Sequence, residues 1–341
     1  MASDPKVSVV MIAYSALEHI PRAVESILEQ DIKECEIIVV DDGSPEDIES
    51  LLAPYKGRLQ YIRRSNGGPG AARDTGVSAA RGQYIAFADS DDVHLPFRIA
   101  CQAALLDAYP EAALTCSDFS TYIDGEVTEV STLRIRPLGV DERDFEVAIR
   151  SEFGLPTSAA ALGLPAPDAL QQSKVYCGLV PGLIAGRHMA WDGASMYRKS
   201  ALLSVGGHDP SMRYWEDWCL SSRVSKKFPI VYWDAPTLLY RQHDRQITKQ
   251  SALLGARSYR DVVFRVWKDD ARLASQEPSQ WRKMMKRATL RNASYATEAK
   301  EYRRARADIL HFIRMAPFDR HGYTALARNL AHQSVLDKIR G

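Results

Sequence analysis

One stretch constrains this chain more than any other. Tyr84-Ile85-Ala86-Phe87-Ala88, an apolar run, is followed at once by Asp89-Ser90-Asp91-Asp92. The run has the length and side chains of a buried strand. Carboxylates crowded at the end of a buried strand repel one another and lose hydration, so they stay ionised only beside positive charge. A hard divalent cation with oxygen ligands, shared with phosphates, meets that need. A solvated Asp-rich turn capping the next helix avoids it altogether. The rest of the chain has to decide between the two.

Three earlier stretches bear on the choice. Val7-Ser8-Val9-Val10-Met11-Ile12 reads as a buried first strand, and Ile20, Val24, Ile27 and Leu28 fall on one face of a following helix. Glu36-Ile37-Ile38-Val39-Val40 reads as a second strand ending in Asp41-Asp42-Gly43-Ser44-Pro45. A shorter third strand over residues 58–63, near an edge, leads into Asn66-Gly67-Gly68-Pro69-Gly70, a glycine turn opening a small-residue helix over 71–81. Strands alternating with helices at this spacing predict βαβ units and a mainly parallel sheet. Ligands of such sheets bind outside the carboxyl ends of the strands. Asp41, Asp42, the 66–73 turn and residues 89–92 therefore converge on one crevice, which favours a ligand site over a bland turn.

Downstream, the pattern predicts a helix over 96–109, a strand over 112–117 and a hairpin turning at Asp124-Gly125. Residues 151–190, with Pro156, Pro165, Pro167 and Pro181 among Gly, Ala and Ser, read as loop and short helix, either an acceptor-side lid or a passive insertion. Residues 191–197 read as a strand returning to the crevice, and Arg213-Tyr214-Trp215-Glu216-Asp217-Trp218 opens a helix. From about Ala252 the chain turns helical. Val262, Val263, Val266 and Trp267 share one face, a second helix runs over 296–315, and Pro278 suits a break.

Charge divides the chain where the pattern does. Residues 251–341 carry 19 Lys and Arg against 9 Asp and Glu, a net of +10, while the first 250 carry 25 against 34, a net of −9. The 341 residues accommodate two domains: residues 1–250, with halves at about 1–120 and 121–250, and a basic helical region at 251–341. No apolar run approaches the roughly 20 residues of a membrane span, and the first residues show no secretory signal. Five scattered cysteines without a Cys-x-x-Cys pair argue for reduced thiols in the cytoplasm and against zinc. The basic helices suit an anionic membrane surface at the inner face, another chain, or a solvated appendage. Nucleic acid is not an expected partner, because no reading motif is present.

Taken in order, residues 7–12, Val40-Asp41-Asp42-Gly43-Ser44, Asn66-Gly67-Gly68 with Ala72-Arg73-Asp74-Thr75-Gly76, and Asp89-Ser90-Asp91-Asp92 resemble the signature of the family 2 (GT-A fold) glycosyltransferases. Gly206-Gly207-His208-Asp209, Glu216-Asp217-Trp218-Cys219-Leu220 and Tyr240-Arg241-Gln242-His243 extend the resemblance, which covers about residues 6–250. It implies an α/β GT-A (Rossmann-like) fold, a mixed, mainly parallel sheet flanked by helices, followed here by the helical C-terminal region. It also implies inverting transfer of a hexosyl or N-acetylhexosaminyl group from a nucleotide diphosphate sugar, a UDP-sugar above all. The acceptor would be a hydroxyl of a glycan or lipid-linked molecule, in bacterial surface polysaccharide synthesis.

The resemblance carries roles residue by residue. Asp91 would hold Mn²⁺ or Mg²⁺, with His243 completing the metal sphere. Asp89 would face the ribose or a metal-bound water, beside Ser90. Asp41 or Asp42 would meet the nucleobase edge, Arg73 the base or a phosphate, and Gly67 would let backbone approach the nucleotide. Ala13 and Tyr14 would border the base, although Ser15 stands where the family usually has Asn. Arg241 would neutralise diphosphate or lie on the surface. Direct displacement needs one carboxylate to take the acceptor's proton from across the sugar, and Asp217 meets that condition. Glu216 would orient the acceptor, and Trp215 would stack on it. Rival readings are a retaining transferase, a nucleotidyltransferase, and a non-catalytic nucleotide- or carbohydrate-binding module. A dinucleotide fingerprint is not met, because Gly68-Pro69-Gly70-Ala71-Ala72-Arg73 lacks the third glycine and follows the third strand.

Overall fold

The computed structural model of the protein describes residues 4–15, 17–123, 125–135, 144–246 and 251–340. Contacts divide the chain into two units, Met1–Asp244 and Arg245–Gly341.

The first unit is built on one mixed sheet with eleven strands among the described residues. They are β1 (Val7–Ala13), β2 (Cys35–Asp41), β3 (Gln60–Arg63), β4 (Tyr84–Asp89), β5 (Val93–His94), β6 (Leu114–Ile123), β7 (Glu126–Glu129), β8 (Thr157–Ser158), β9 (Lys174–Gly178), β10 (Ser195–Arg198) and β11 (Ile230–Arg241). Their order is β3-β2-β1-β4-β10-β6-β11-β9-β8, with β5 paired to β11 and β7 to β6. β1 runs parallel to β2 and β4, and β2 to β3. β10 is antiparallel to both β4 and β6, and β6 is parallel to β11. The two reversals cancel, so β1, β2, β4, β6 and β11 all end on the same edge of the sheet.

Composition explains the arrangement. β1 and β4 are apolar on both faces and lie inside the sheet, whereas β3, half-exposed, forms its edge. The helix Ile20–Leu28 buries Ile20, Val24 and Ile27, the face its spacing predicts. The helix Pro69–Ala79 starts with proline at its first turn and lies close on β1. A Cβ on Gly76 would come 2.2 Å from a methyl of Val10, so a hydrogen is all that fits there.

Several elements differ from expectation. Residues 151–190 contain more than loop and short helix: β8 and β9 pair with each other, and β9 pairs antiparallel with β11, extending the sheet. These strands are too short, among Pro and Gly, for an alternation to stand out. The expected strand at 191–197 begins later, as β10, because Asp192–Ala194 forms a 3-10 turn. The strand at 112–117 runs on to Ile123 and pairs with β7, as the hairpin requires; Asp124 lies outside the described residues. The five cysteines form no disulfide.

The second unit is helical. The helix Ala252–Val262 continues through a π-turn, Val263–Trp267, and Val262, Val263 and Trp267 are buried. Pro278 opens the helix Pro278–Lys286. The helix expected over 296–315 is two helices, Asn292–Glu298 and Tyr302–Met315, because Lys300 adopts φ 63°, which ends the first. Ala296, Ala305 and Ile309 join them in a small core. No described helix is long and apolar enough to cross a membrane.

Candidate active site

The strand ends bring the predicted carboxylates to one edge. Asp89 closes β4, Ser90 and Asp91 follow it, and His243 follows β11. His243 Nε2 stands 3.0 Å from Asp91 Oδ2, joining residues 152 positions apart. Arg241 completes this corner: its N–H donates to Asp92 Oδ1 at 2.9 Å, and its Nε–H to the Asp91 carbonyl at 2.8 Å. Burial and then the charge of Asp91 hold the Asp92 carboxyl well above the usual range. Burial also raises the Asp89 carboxyl, against Arg73 and with help from Asp91 and Asp192. Carboxylates that drive up one another's proton affinity are ones a cation stabilises.

The donor chemistry fits a divalent ion. Ligands that are neighbours on an octahedral ion with bonds of about 2.1 Å stand about 3 Å apart, as these two atoms do. No group of three or more His, Cys, Asp or Glu able to hold an ion exists among the described residues, and Asp91 with His243 is the pair that could supply two ligands.

Arg73 lies at the centre of the site. It is buried, and donates to Asp89 Oδ1 at 2.7 Å and to Glu216 Oε1 at 2.8 Å, with Asp192 Oδ2 3.4 Å from its Nε. Burial disfavours its charge, yet Asp89, Asp192 and Glu216 together raise its pKa. Spacing in the sequence does not reveal that three carboxylates converge on Arg73. The guanidinium ties the end of β4 to the helix Glu216–Ser225.

Asp41 and Asp42 hold the local structure at the end of β2. Asp41 accepts from Ser44 N–H at 2.8 Å, Tyr61 O–H at 2.8 Å and Arg63 at 3.1 Å. Asp42 accepts from the Gly67 and Gly68 amides at 3.0 and 2.8 Å, holding the glycine turn against β2. Gly68 has φ 91°, a conformation that favours glycine. Ala13 is buried at the end of β1, and Tyr14 beyond it is 55% exposed.

Glu216 and Asp217 begin their helix as predicted, but their environments differ. Burial and the charge of Asp217 push the Glu216 carboxyl up to about 6 against the pull of Arg73. Burial also acts on Asp217, but His188 and then Arg73 outweigh it and hold that carboxyl below the usual range. Trp215, just before them, has φ 61°, a left-handed conformation costly for a bulky side chain. Its ring lies 5.4 Å from that of His188. Trp191 lies 5.2 Å from Tyr240 and 4.7 Å from Phe119.

Three further residues join this cluster without having been singled out as site residues. Asp192, buried, accepts from Tyr197 O–H at 3.0 Å and bonds His208 Nε2 at 2.8 Å. His208 bonds Asp74 through Nδ1, also at 2.8 Å. It is pushed up to about 9, because the two carboxylates outweigh burial. Gly206-Gly207-His208-Asp209 was visible as a motif, and the geometry supplies its reason: a Cβ on Gly207 would meet the Asp74 carboxylate at 2.8 Å. The third residue, His188, carried no signal in the sequence.

Residues 8–159 match the family model described as glycosyl transferase family 2. An uncharacterized glycosyltransferase of Rickettsia felis is 41% identical over 106 residues, 30% of this chain and 18% of that protein. The chain thus spans under a fifth of the relative's length. The succinoglycan biosynthesis protein ExoO of Rhizobium meliloti is 43% identical over 98 residues, 28% of each chain. Among solved structures, S. aureus TarS 1–349 in complex with UDP-GlcNAc superposes with a TM-score of 0.57 at 16% identity, covering 94% of this chain and 90% of that one. The fold is therefore the GT-A arrangement the resemblance implies, with a mixed sheet flanked by helices and a helical C-terminal region.

Proposed function

Because residues 8–159 match the glycosyl transferase family 2 model and the strand-end carboxylates lie within a GT-A fold, we propose that the chain transfers a sugar, with inversion, from a nucleotide diphosphate sugar to a hydroxyl acceptor. The observation that carries this reading is the pairing of Asp91 with His243 and the separate carboxylate Asp217, with Arg73 bonded to the neighbours of each, Asp89 and Glu216.

A UDP-sugar is the favoured donor, and UDP-GlcNAc is the first to try, since the solved TarS complex holds it. Ala13, Tyr14, Asp41 and Asp42 border the nucleobase, Gly67 offers backbone to the nucleotide, and Ser90 lies beside the diphosphate. Asp91 and His243 would hold Mn²⁺ or Mg²⁺, which when bound neutralises charge on the leaving diphosphate. The acceptor oxygen forms its bond to the anomeric carbon as the bond from that carbon to the diphosphate oxygen breaks. The acceptor's proton passes to Asp217, and a single displacement inverts the configuration. Glu216, held by Arg73, fixes the position of that base, and Trp215 faces the acceptor. The likeness to ExoO supports a glycan or lipid-linked acceptor in surface polysaccharide synthesis.

The basic second unit is assigned to peripheral contact with an anionic membrane at its cytoplasmic face. Phe318 is fully exposed between exposed Arg314 and Arg320, with half-exposed Tyr323 nearby in sequence, and aromatic and basic side chains together suit a headgroup layer.

Calorimetric titration of UDP with and without Mn²⁺ tests the site. Metal-dependent binding lost in Asp91→Ala is expected, whereas Asp217→Asn should bind UDP as the wild type does while transfer falls by about 10²-fold or more. Equal UDP binding in Asp91→Ala, or full transfer in Asp217→Asn, would sink the assignment.

A further inference from the structure

We propose that His188 is the positioning partner of the Asp217 base, an imidazole that keeps this carboxylate oriented and ionised. The inference rests on the transferase reading above.

Geometry comes first. His188 follows the helix Pro181–Gly186 and is buried, 29 residues before Asp217 in the chain. Its ring stacks on Trp191 at 5.5 Å with an interplanar angle of 19°, and Trp215 packs on it at 5.4 Å and 53°. Trp191 Nε1–H donates to the His188 carbonyl at 3.2 Å, so the indole fixes both backbone and ring. The buried Nε2 makes no well-aligned hydrogen bond and stands 3.1 Å from Asp217 Oδ2. The other oxygen, Oδ1, accepts from the Trp218 N–H at 2.7 Å. The carboxylate is therefore held by backbone on one side and faces an imidazole on the other.

The neighbouring acid is an internal comparison. Glu216 and Asp217 are adjacent, both lose hydration, and Arg73 acts on both. Tyr197, from β10, and His208 also face this corner. Glu216 feels the charge of Asp217, whereas Asp217 has His188 first among the groups that favour its charge, then Arg73 and the Trp218 N–H. Without His188, Asp217 would share Glu216's fate and hold a proton at mildly acidic pH, when a base must be empty. With it, Asp217 stays ionised and its Oδ2 keeps one orientation. The acceptor proton still ends on Asp217, so no further reactant is required.

Two measurements on the full chain test this. Carbon–proton NMR of the imidazoles compares the His188 ring signals of wild type and Asp217→Asn at one pH. Removing the carboxylate's charge should move these signals. Unmoved signals overturn the pairing, whatever the chain transfers. The second is the pH profile of UDP release from UDP-GlcNAc with water as acceptor. In His188→Gln the acid limb of kcat should move up by about one pH unit, with partial recovery of rate above it and an unchanged donor KM. Equal loss at every pH, or an unmoved limb, overturns the role. Unaltered melting and UDP affinity in that variant exclude misfolding, and the Asp217→Asn arm needs no His188 variant to fold. Moved His188 signals without turnover of any donor would instead fault the transferase reading, and the positioning role of His188 with it.

Discussion

His208 shows how much one side chain can owe to partners distant in sequence. Its two nitrogens bond carboxylates 134 and 16 positions away, and the pair raises its pKa from 6.5 to about 9. A histidine whose folded pKa lies above its unfolded value adds stability that is fully present below pH 6.5. That stability is lost as pH rises through about 9. The expected contribution is on the order of 3 kcal/mol at its fullest. Urea midpoints at pH 6 and pH 9.5 should fall more steeply for wild type than for His208→Gln. Parallel pH dependences in the two proteins would contradict the role given to the Asp74–His208–Asp192 chain. At this scale the sequence was informative about residue type and silent about partners. Asp91 and Asp217 could be picked out because they sit at element ends within motifs that resemble the family's. Asp192 could not, because nothing local distinguishes a buried acceptor from a turn residue.

Among the elements, the helix Pro69–Ala79 depends most visibly on a missing side chain. Gly76 faces Val10 of β1 at a distance no Cβ tolerates. Gly76→Ala, though it improves helix propensity, should destabilise the protein by about 1–3 kcal/mol through overpacking. The change would be read as a lowered urea midpoint with unchanged slope; a stabilised variant would show that β1 yields. This helix, β1, β2 and β4 were legible because an amphipathic or uninterrupted apolar pattern states its own burial. β8 and β9 were hidden, since strands of two and five residues become strands through the neighbour they pair with. The break at Lys300 was hidden too. The apolar spacing of Tyr302, Ala305 and Ile309 continues as if no left-handed residue preceded it.

For the whole molecule, the division at Asp244 puts every residue of the candidate site in the first unit and the excess of Lys and Arg over Asp and Glu in the second. Residues 1–244 expressed alone should therefore keep metal-dependent UDP binding. The full chain should float with vesicles rich in anionic lipid, and more weakly as salt rises. Phe318→Ser should reduce flotation, and the 1–244 fragment should lose it. Flotation of the fragment to the same extent would remove the second unit from membrane contact.

The sequence by itself determined the elements of the first half, their direction, and the clustering of carboxylates at one edge, because β-branched runs and glycine turns act locally. Tertiary structure alone decided which charged groups face which. Arg73 meets Glu216 across 143 residues, and His188 meets Asp217 within walls of tryptophan. Such contacts depend on burial and on charge at short range, and both arise when separate segments pack together.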